Sequence, residues 1–251
     1  MKPIISVIIA TFNAAKTLRN CLESIVTQKN ECIELLVIDG GSTDGTPNIL
    51  EEYSSQIDVI VSEHDHGIYD AWNKGIINSH GEWIMFIGAD DTLEHSAFEK
   101  YFEFLNRHKI ADIDFISAKY LYIGRAGQVL KVFGVPWSWE QFRRKMTVAH
   151  VGSLHRRALF HDVGLYDLQF RICGDYELLL RKKERLRTLF MDEIIARMAM
   201  GGASYSMNGL RETHHIQHLY SGVSPVNLKA IHLWQILLFW RHYLLHSNIW
   251  I

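Results

Sequence analysis

The chain has 251 residues, 48% hydrophobic and 22% charged, which is ordinary for a globular protein and ample for a real core. No apolar window reaches the length of a transmembrane helix, no signal-cleavage pattern follows the N-terminus, and Cys21, Cys32 and Cys173 show neither paired nor metal-type spacing. These features argue against a spanning protein or a disulfide scaffold and lead to the expectation of reduced thiols in the cytoplasm. The net charge of −2 hides an asymmetry, because residues 1–99 carry a balance of −11 and residues 100–251 a balance of +9. An acidic front suits metal and sugar handling and a basic back suits anionic lipid or phosphate, while chance asymmetry of a solvated surface gives the same counts.

Ile4 to Ala10 is a β-branched run that reads as a central strand and breaks at Thr11-Phe12-Asn13. Leu18, Cys21, Leu22, Ile25 and Val26 then recur at helical spacing. A second strand, Ile33 to Ile38, ends in Asp39-Gly40-Gly41-Ser42-Thr43-Asp44-Gly45. Thr46 and Pro47 look like the N-cap and first position of a helix with Ile49, Leu50 and Tyr53 inward. Val59 to Val61 makes a short third strand, and this alternation predicts a parallel, doubly wound sheet. Asp39 at a strand end suits the N–H of a pyrimidine base, or else organises the turn of Gly40 and Gly41. Neither GxGxxG nor GxxxxGK[ST] occurs, which disfavours dinucleotide and P-loop enzymes.

Asp65 and Gly67 mark a turn, after which Asp70, Asn73 and Lys74 share helix-compatible spacing. Lys74 could steady a diphosphate as a point charge, although a solvent-facing helix looks the same. Trp83 to Ile87 reads as a buried strand that stops at Gly88-Ala89-Asp90-Asp91. Ligands of open α/β sheets bind beyond the carboxyl ends of strands. Two carboxylates there suit Mg²⁺ or Mn²⁺, which in turn suits a diphosphate. The alternative is that Asp90 or Asp91 caps a helix after Thr92.

His95 to Arg107 has a helical apolar face, and Phe115–Ile123 and Val129–Phe133 flank Gly124-Arg125-Ala126-Gly127 as a hairpin. Trp137 and Trp139 either stack on an acceptor sugar or form partly buried structure. Phe170 to Arg181 holds a helix whose first turn carries Asp175 and Glu177, where capping alone would account for them. Glu193 to Ser206 reads as a strand followed by a Gly201-Gly202 turn, a segment that could close over a ligand. His214 and His218 are spaced for a metal but lack the glutamate of HExxH, so a polar helix face is the better reading. Leu228 to Ile251 mixes Leu, Ile, Trp and Phe with Lys229 and Arg241, which suits a membrane interface, a helix packed on the body, or a dimer contact.

The ordered set SVIIATFN, VIDGGSTDGT, EHDHGIYDAWNKGI and GEWIMFIGADDTL closely resembles family 2 glycosyltransferases of GT-A fold, especially those of bacterial O-antigen and exopolysaccharide assembly. The resemblance implies that Thr11, Asn13 and Asp39 wrap the nucleotide and that Asp70, Asn73 and Lys74 line the nucleotide-sugar pocket. Gly88-Ala89-Asp90 aligns with the family's Asp-X-Asp motif, making Asp90 the metal ligand and Asp91 its donor-binding neighbour. Gly88 departs from the first carboxylate of that motif. Asp175 matches the general-base aspartate of a Glu-Asp pair, with Gly174 where many members carry Glu and Glu177 in reserve. A histidine often stands at the position of His150, near acceptor or leaving diphosphate, and a structural histidine fits there equally.

The expectation is an α/β GT-A domain, residues 1–207, with a mainly parallel sheet flanked by helices. Residues 1–99 form its nucleotide-sugar half, residues 100–207 its acceptor half, and residues 208–251 a helical C-terminal extension. The implied enzyme is an inverting, Mg²⁺- or Mn²⁺-dependent transferase that moves sugar from a nucleotide diphosphate, foremost UDP, to a saccharide or lipid-linked saccharide. No nucleic-acid partner is expected, the cysteine and N-terminal patterns lead to a cytoplasmic setting, and the tail's composition, with the lipid-linked acceptors that the resemblance implies, makes the inner face of the membrane a docking surface. The rivals are a sugar nucleotidyltransferase, for which only Lys16 near the first strand speaks, and a silent nucleotide-sugar-binding scaffold, which Gly88 alone encourages.

Overall fold

The computed structural model describes residues 2–202 and 206–245, the last four of them by backbone alone. Three parallel strands, β1 (Ile5–Thr11), β2 (Ile33–Asp39) and β3 (Val59–Ser62), alternate with helices α1 (Leu18–Val26), α2 (Thr46–Glu52) and α3 (Ile68–Asn78). β4 (Trp83–Gly88) lies parallel to β1 on its other side. β1 and β2 are buried at every residue because helices cover both faces of the sheet, which is why they read as unbroken apolar runs. Side chains alternate between the two layers: Ile5, Val7 and Ile9 pack with α1, while Ile8 and Ala10 pack with Tyr69, Trp72 and Ile76 of α3. Register aligns Thr11 with Asp39, Asp39 with Ser62, and Ala10 with Gly88. The polar strand ends therefore share one edge.

Two sequence expectations change here. Thr46 is the first helical residue and Gly45 precedes it; the Thr46 hydroxyl accepts the Ala14 N–H at 2.9 Å, while Asp44 accepts the Thr46 N–H at 2.9 Å. No helix starts directly after Thr92. Thr92–Leu93 form a two-residue strand, β5, and helix α4 begins at Ala97 and runs to Arg107. Asp90 and Asp91 are thus freed from capping duty.

The other half of the sheet is mixed. β6 (Phe115–Ile123) and β7 (Val129–Phe133) form the expected hairpin, α5 (Trp139–Phe142) follows, and β8 (Leu154–Arg156) inserts antiparallel between β4 and β6 before α6 (Arg157–Val163). α7 (Gly174–Leu180) leads to β9 (Thr188–Ala199), which runs parallel to β6 and ends antiparallel against β5. Among the described residues the order is β3-β2-β1-β4-β8-β6-β9-β5, with β7 paired to β6. β9 starts five residues before the expected Glu193, because Asp192 and Glu193 lie in an irregular step: the register jumps from Ser117 opposite Phe190 to Lys119 opposite Ile194.

α8 (Met207–Tyr220) buries Ile216 in a cluster with Phe142, Phe170 and Tyr176. α9 (Pro225–Leu245) follows it, and among the described residues no helix is long and apolar enough to cross a membrane. Of the expected tail, residues 246–251 lie outside the described residues, as do 203–205 of the segment after β9.

Candidate active site

At the edge shared by β1 and β2, Asp39 is wholly buried. Its carboxylate accepts the Ser42 N–H at 3.1 Å, the Ser62 hydroxyl at 2.6 Å and the Ser42 hydroxyl. The Ser42 oxygen in turn accepts the Asn13 N–H at 2.7 Å, and Asn13 Oδ1 accepts the Thr43 N–H at 2.9 Å. Asn13 adopts φ 48°, a left-handed conformation that asparagine tolerates through such local bonding. The buried Thr11 hydroxyl has no partner, an unmet polar group at the strand end.

On α3, Asp70 accepts the His66 N–H at 3.0 Å. Lys74 is held by Glu63 at 2.9 Å, by the His64 carbonyl at 3.1 Å and, more loosely, by Asp70 at 3.8 Å. Asn73 is a tie: its amide nitrogen donates to the Tyr166 carbonyl and its oxygen accepts the Tyr166 N–H, both at 2.9 Å. None of the three lines the cleft that α3 borders at this edge, whose wall it forms with Ile68, Tyr69 and Trp72.

That cleft, about 290 Å³, brings Gly88, Asp90, Asp91, His150 and Asp175 to common walls. Asp90 is exposed and Asp91 buried. Asp91 accepts the Ala199 N–H at 3.0 Å and the Gly88 N–H at 3.3 Å. Burial, and then the adjacent Asp90 charge, push the Asp91 carboxyl up to about 8. A Cβ on Gly88 would lie 2.9 Å from an Asp90 oxygen and 3.0 Å from an Asp91 oxygen, so a side chain there requires both carboxylates to shift. The missing first carboxylate of the family motif is thus matched by Asp91 turning back into its space. Among the described residues no group of three or more His, Cys, Asp and Glu is disposed to hold a metal. Two oxygen-donating carboxylates nevertheless fit Mg²⁺ or Mn²⁺, which bind through one or two carboxylates and leave the remaining positions to phosphate and water.

Asp175 stands across the cleft in the first turn of α7. It accepts the Tyr176 N–H at 2.9 Å and, at 3.3 Å, competes with the Ile172 carbonyl at 2.8 Å for the single proton of the Tyr69 hydroxyl. Desolvation outweighs both bonds and raises its carboxyl to about 6. A carboxylate so poised accepts a proton near neutral pH far better than an ordinary aspartate. A Cβ on Gly174 would meet the Tyr69 ring at 2.9 Å, so the ring occupies the room that many relatives would give to glutamate. Glu177 is fully buried in a bidentate pair with Arg181, at 2.7 and 2.5 Å, and does not line the cleft. It is structural.

His150 does face the cleft, but it is buried and stacked on Trp72 and Phe86, with Nε2 3.1 Å from the Tyr166 hydroxyl. Burial holds its pKa down to about 3, so the imidazole is neutral at pH 7. Trp137 packs on Phe142 with ring centres 4.3 Å apart, and Trp137 and Trp139 both belong to the α5–α7–α8 cluster instead of the cleft wall. The His214 and His218 Nε2 atoms lie 3.2 Å apart on α8, and neither residue lines the cleft.

Two supports escaped the sequence reading. Tyr69 holds Asp175 from α3. Glu212 of α8 accepts the N–H groups of Arg171, Ile172 and Cys173 at 3.1, 2.8 and 2.6 Å, fixing the loop that enters α7. Neither has a local signal, since each partner lies far away in sequence.

A mixed sheet flanked by helices, with an acidic pair beyond β4 and an aspartate of raised pKa on the same cleft, is the arrangement of a GT-A fold. Solved structures agree on the fold. Staphylococcus aureus TarS 1-349, in complex with UDP-GlcNAc, superposes with a TM-score of 0.67 at 18% identity, covering 96% of this chain and 72% of that one. The mannosyltransferase PcManGT of Pyrobaculum calidifontis, in complex with GDP-Man and Mn²⁺, gives 0.62 at 17% identity, covering 92% and 68%. The sequence profile of Glycosyl transferase family 2 matches residues 6–162, and the chain belongs to that family. A PGL/p-HBAD biosynthesis glycosyltransferase of Mycobacterium bovis is 31% identical over 200 residues, 77% of this chain and 76% of that protein. An uncharacterized glycosyltransferase of Rickettsia prowazekii is 25% identical over 231 residues, 88% and 71%.

Proposed function

We propose that this transferase moves a sugar from a UDP-sugar to a hydroxyl of a lipid-linked saccharide, with inversion at the anomeric carbon, in assembly of a surface polysaccharide of O-antigen or exopolysaccharide type. The observation that carries the reading is the convergence of Asp90, Asp91 and Asp175 on one cleft. Asp175 takes the acceptor proton as the hydroxyl oxygen attacks the face opposite the leaving diphosphate. Tyr69 and the Tyr176 N–H orient the carboxylate. Asp39, Thr11 and Asn13 hold the base and ribose, Asp70, Asn73 and Lys74 border the sugar-diphosphate, and His150 stands toward the acceptor, whereas Trp137, packed on Phe142 away from the cleft, takes no part. Asp90 and Asp91 would hold Mg²⁺ or Mn²⁺, which when bound supplies positive charge for the departing nucleotide diphosphate.

The part of the assignment that needs no metal, a carboxylate base on the same cleft as an acidic pair, rests on this chain's own residues. The C-terminal extension, 208–251, would bring the catalytic domain to the inner face of the cytoplasmic membrane. The outward Leu233 and Leu237 of α9 support that placement. The test is a panel of nucleotide sugars, with and without Mn²⁺, read by thermal shift and by released nucleotide diphosphate for wild type and Asp90→Ala. Selective stabilisation by one UDP-sugar, lost in Asp90→Ala, is the expected result. A shift without released nucleotide diphosphate would bring the silent-scaffold reading forward, and absence of any shift would overturn nucleotide-sugar binding altogether.

A further inference from the structure

A second groove, about 810 Å³, runs between α9 and the segment after β7. Its floor is apolar, with Leu210, Ile231, Trp234 and Leu238 along it. Phe133 and Met146 belong to the walls of both this groove and the catalytic cleft, so the two are neighbours across a pair of side chains. Trp234 is 62% exposed and Leu238 42%, an unusual outlay of apolar surface beside an active site. α9 carries apolar residues on every side, the pattern of a helix that has something to cover it.

The charges at the junction are of one sign. Lys131 lies over the Phe133 ring, 5.3 Å from its centre, and Lys145 and Arg144 line the groove itself. Arg144 reaches Glu140 only at 4.0 Å. No acidic residue occurs between Phe115 and Trp139, nor from Thr213 to the last residue. Desolvation and the neighbouring Lys145 charge hold the Lys131 ammonium below its ordinary pKa, as expected for cations that lack an anion between them.

We propose that this groove binds the lipid carrier of the acceptor, with its apolar chain along α9 and its phosphate between Lys131 and Lys145, so that the attached saccharide reaches Asp175 past Phe133 and Met146. The inference rests on the lipid-linked acceptor proposed above and adds where that lipid lies. Two features favour one lipid molecule over a bilayer face: the groove is concave, and it adjoins the cleft in which the saccharide must react. The phosphate contacts then select a charged lipid over a neutral one.

Farnesyl phosphate, titrated calorimetrically below its aggregation concentration, tests the assignment, with farnesol as the neutral control. Wild type is expected to bind farnesyl phosphate. Lys131→Ala/Lys145→Ala should bind it at least about tenfold more weakly while binding farnesol unchanged, tenfold being about the size of one charged hydrogen bond. Trp234→Ser should weaken both ligands. Equal affinity of wild type and the double lysine variant overturns the phosphate assignment. No binding by wild type, with uptake only onto anionic phosphatidylglycerol vesicles, overturns the lipid site in favour of a membrane-facing surface. A UDP/Mn²⁺ thermal shift on the same proteins reads the donor cleft separately: its loss in wild type would sink the donor reading and leave the groove result standing.

Discussion

Asp39 and Asp175 are both aspartates at the end of a regular element, yet the corner around one and the wall around the other treat a carboxylate in opposite ways. Asp39 is wholly buried and saturated by Ser42 and Ser62 within one turn and one neighbouring strand. Asp175 has a backbone N–H and a long bond from Tyr69, too little to offset its desolvation. The first region fixes an acceptor in space. The second leaves a base in want of a proton. Charge follows the same division, since the acidic front holds the first region and the basic back the second.

The comparison breaks most directly at the base. Asp175→Asn should lower kcat by about 10²–10⁴-fold, the usual loss of a general base. Its stability should move the other way. A carboxyl raised to about 6 in the fold, against 3.8 ordinarily, binds more protons folded than unfolded, so its contribution falls as pH rises through that window. At pH 7.5 the asparagine variant should therefore melt no lower than wild type, and a lower melting temperature would contradict the tuning. Asp39→Ala should do the reverse, weakening UDP binding in titration and lowering stability by about 1–3 kcal/mol as Ser42 and Ser62 lose their acceptor.

Smaller changes sharpen the contrast. Glu212→Ala strands three loop N–H groups and should cost stability within the same ~1–3 kcal/mol, together with kcat, as Asp175 loses its fixed approach; Glu212→Gln should recover part of both. The smallest expected effect is a shift of pH profile. Wild-type kcat should fall on acidification through about pH 6 as Asp175 protonates. The Tyr69 hydroxyl favours the ionised form, so Tyr69→Phe should move that limb to higher pH. An unmoved limb would remove Asp175 as the titrating base.

Much of the first region was legible because its strands are parallel and sequential, each an apolar run that stops at a polar turn on the same edge. The second region is assembled from distant pieces. β8 has three residues, too few for a period, and β9 hides its start behind the irregular step at Asp192 and Glu193. Asp90 and Asp175 could be singled out by their motifs, but Glu212 looked like one more polar residue on a helix face. Its partners, the Arg171, Ile172 and Cys173 amides, carry no side-chain signature. Glu177 and Arg181 stand four residues apart, a spacing that offers their ion pair, whereas nothing local tells that Asn73 grips Tyr166, because that depends on which way a helix turns in the packed molecule.

The close approach of Gly174 to the Tyr69 ring reaches beyond this molecule. Two positions that compete for one volume cannot drift independently. A lineage that gains a side chain at 174 must first surrender or swing the aromatic ring at 69, and one that acquires the ring must already have glycine. Substitutions at the two sites should therefore be inherited as a pair, with single-step intermediates rare. Homologues would then sort into two groups, one orienting its base through a tyrosine and the other through a neighbouring carboxylate.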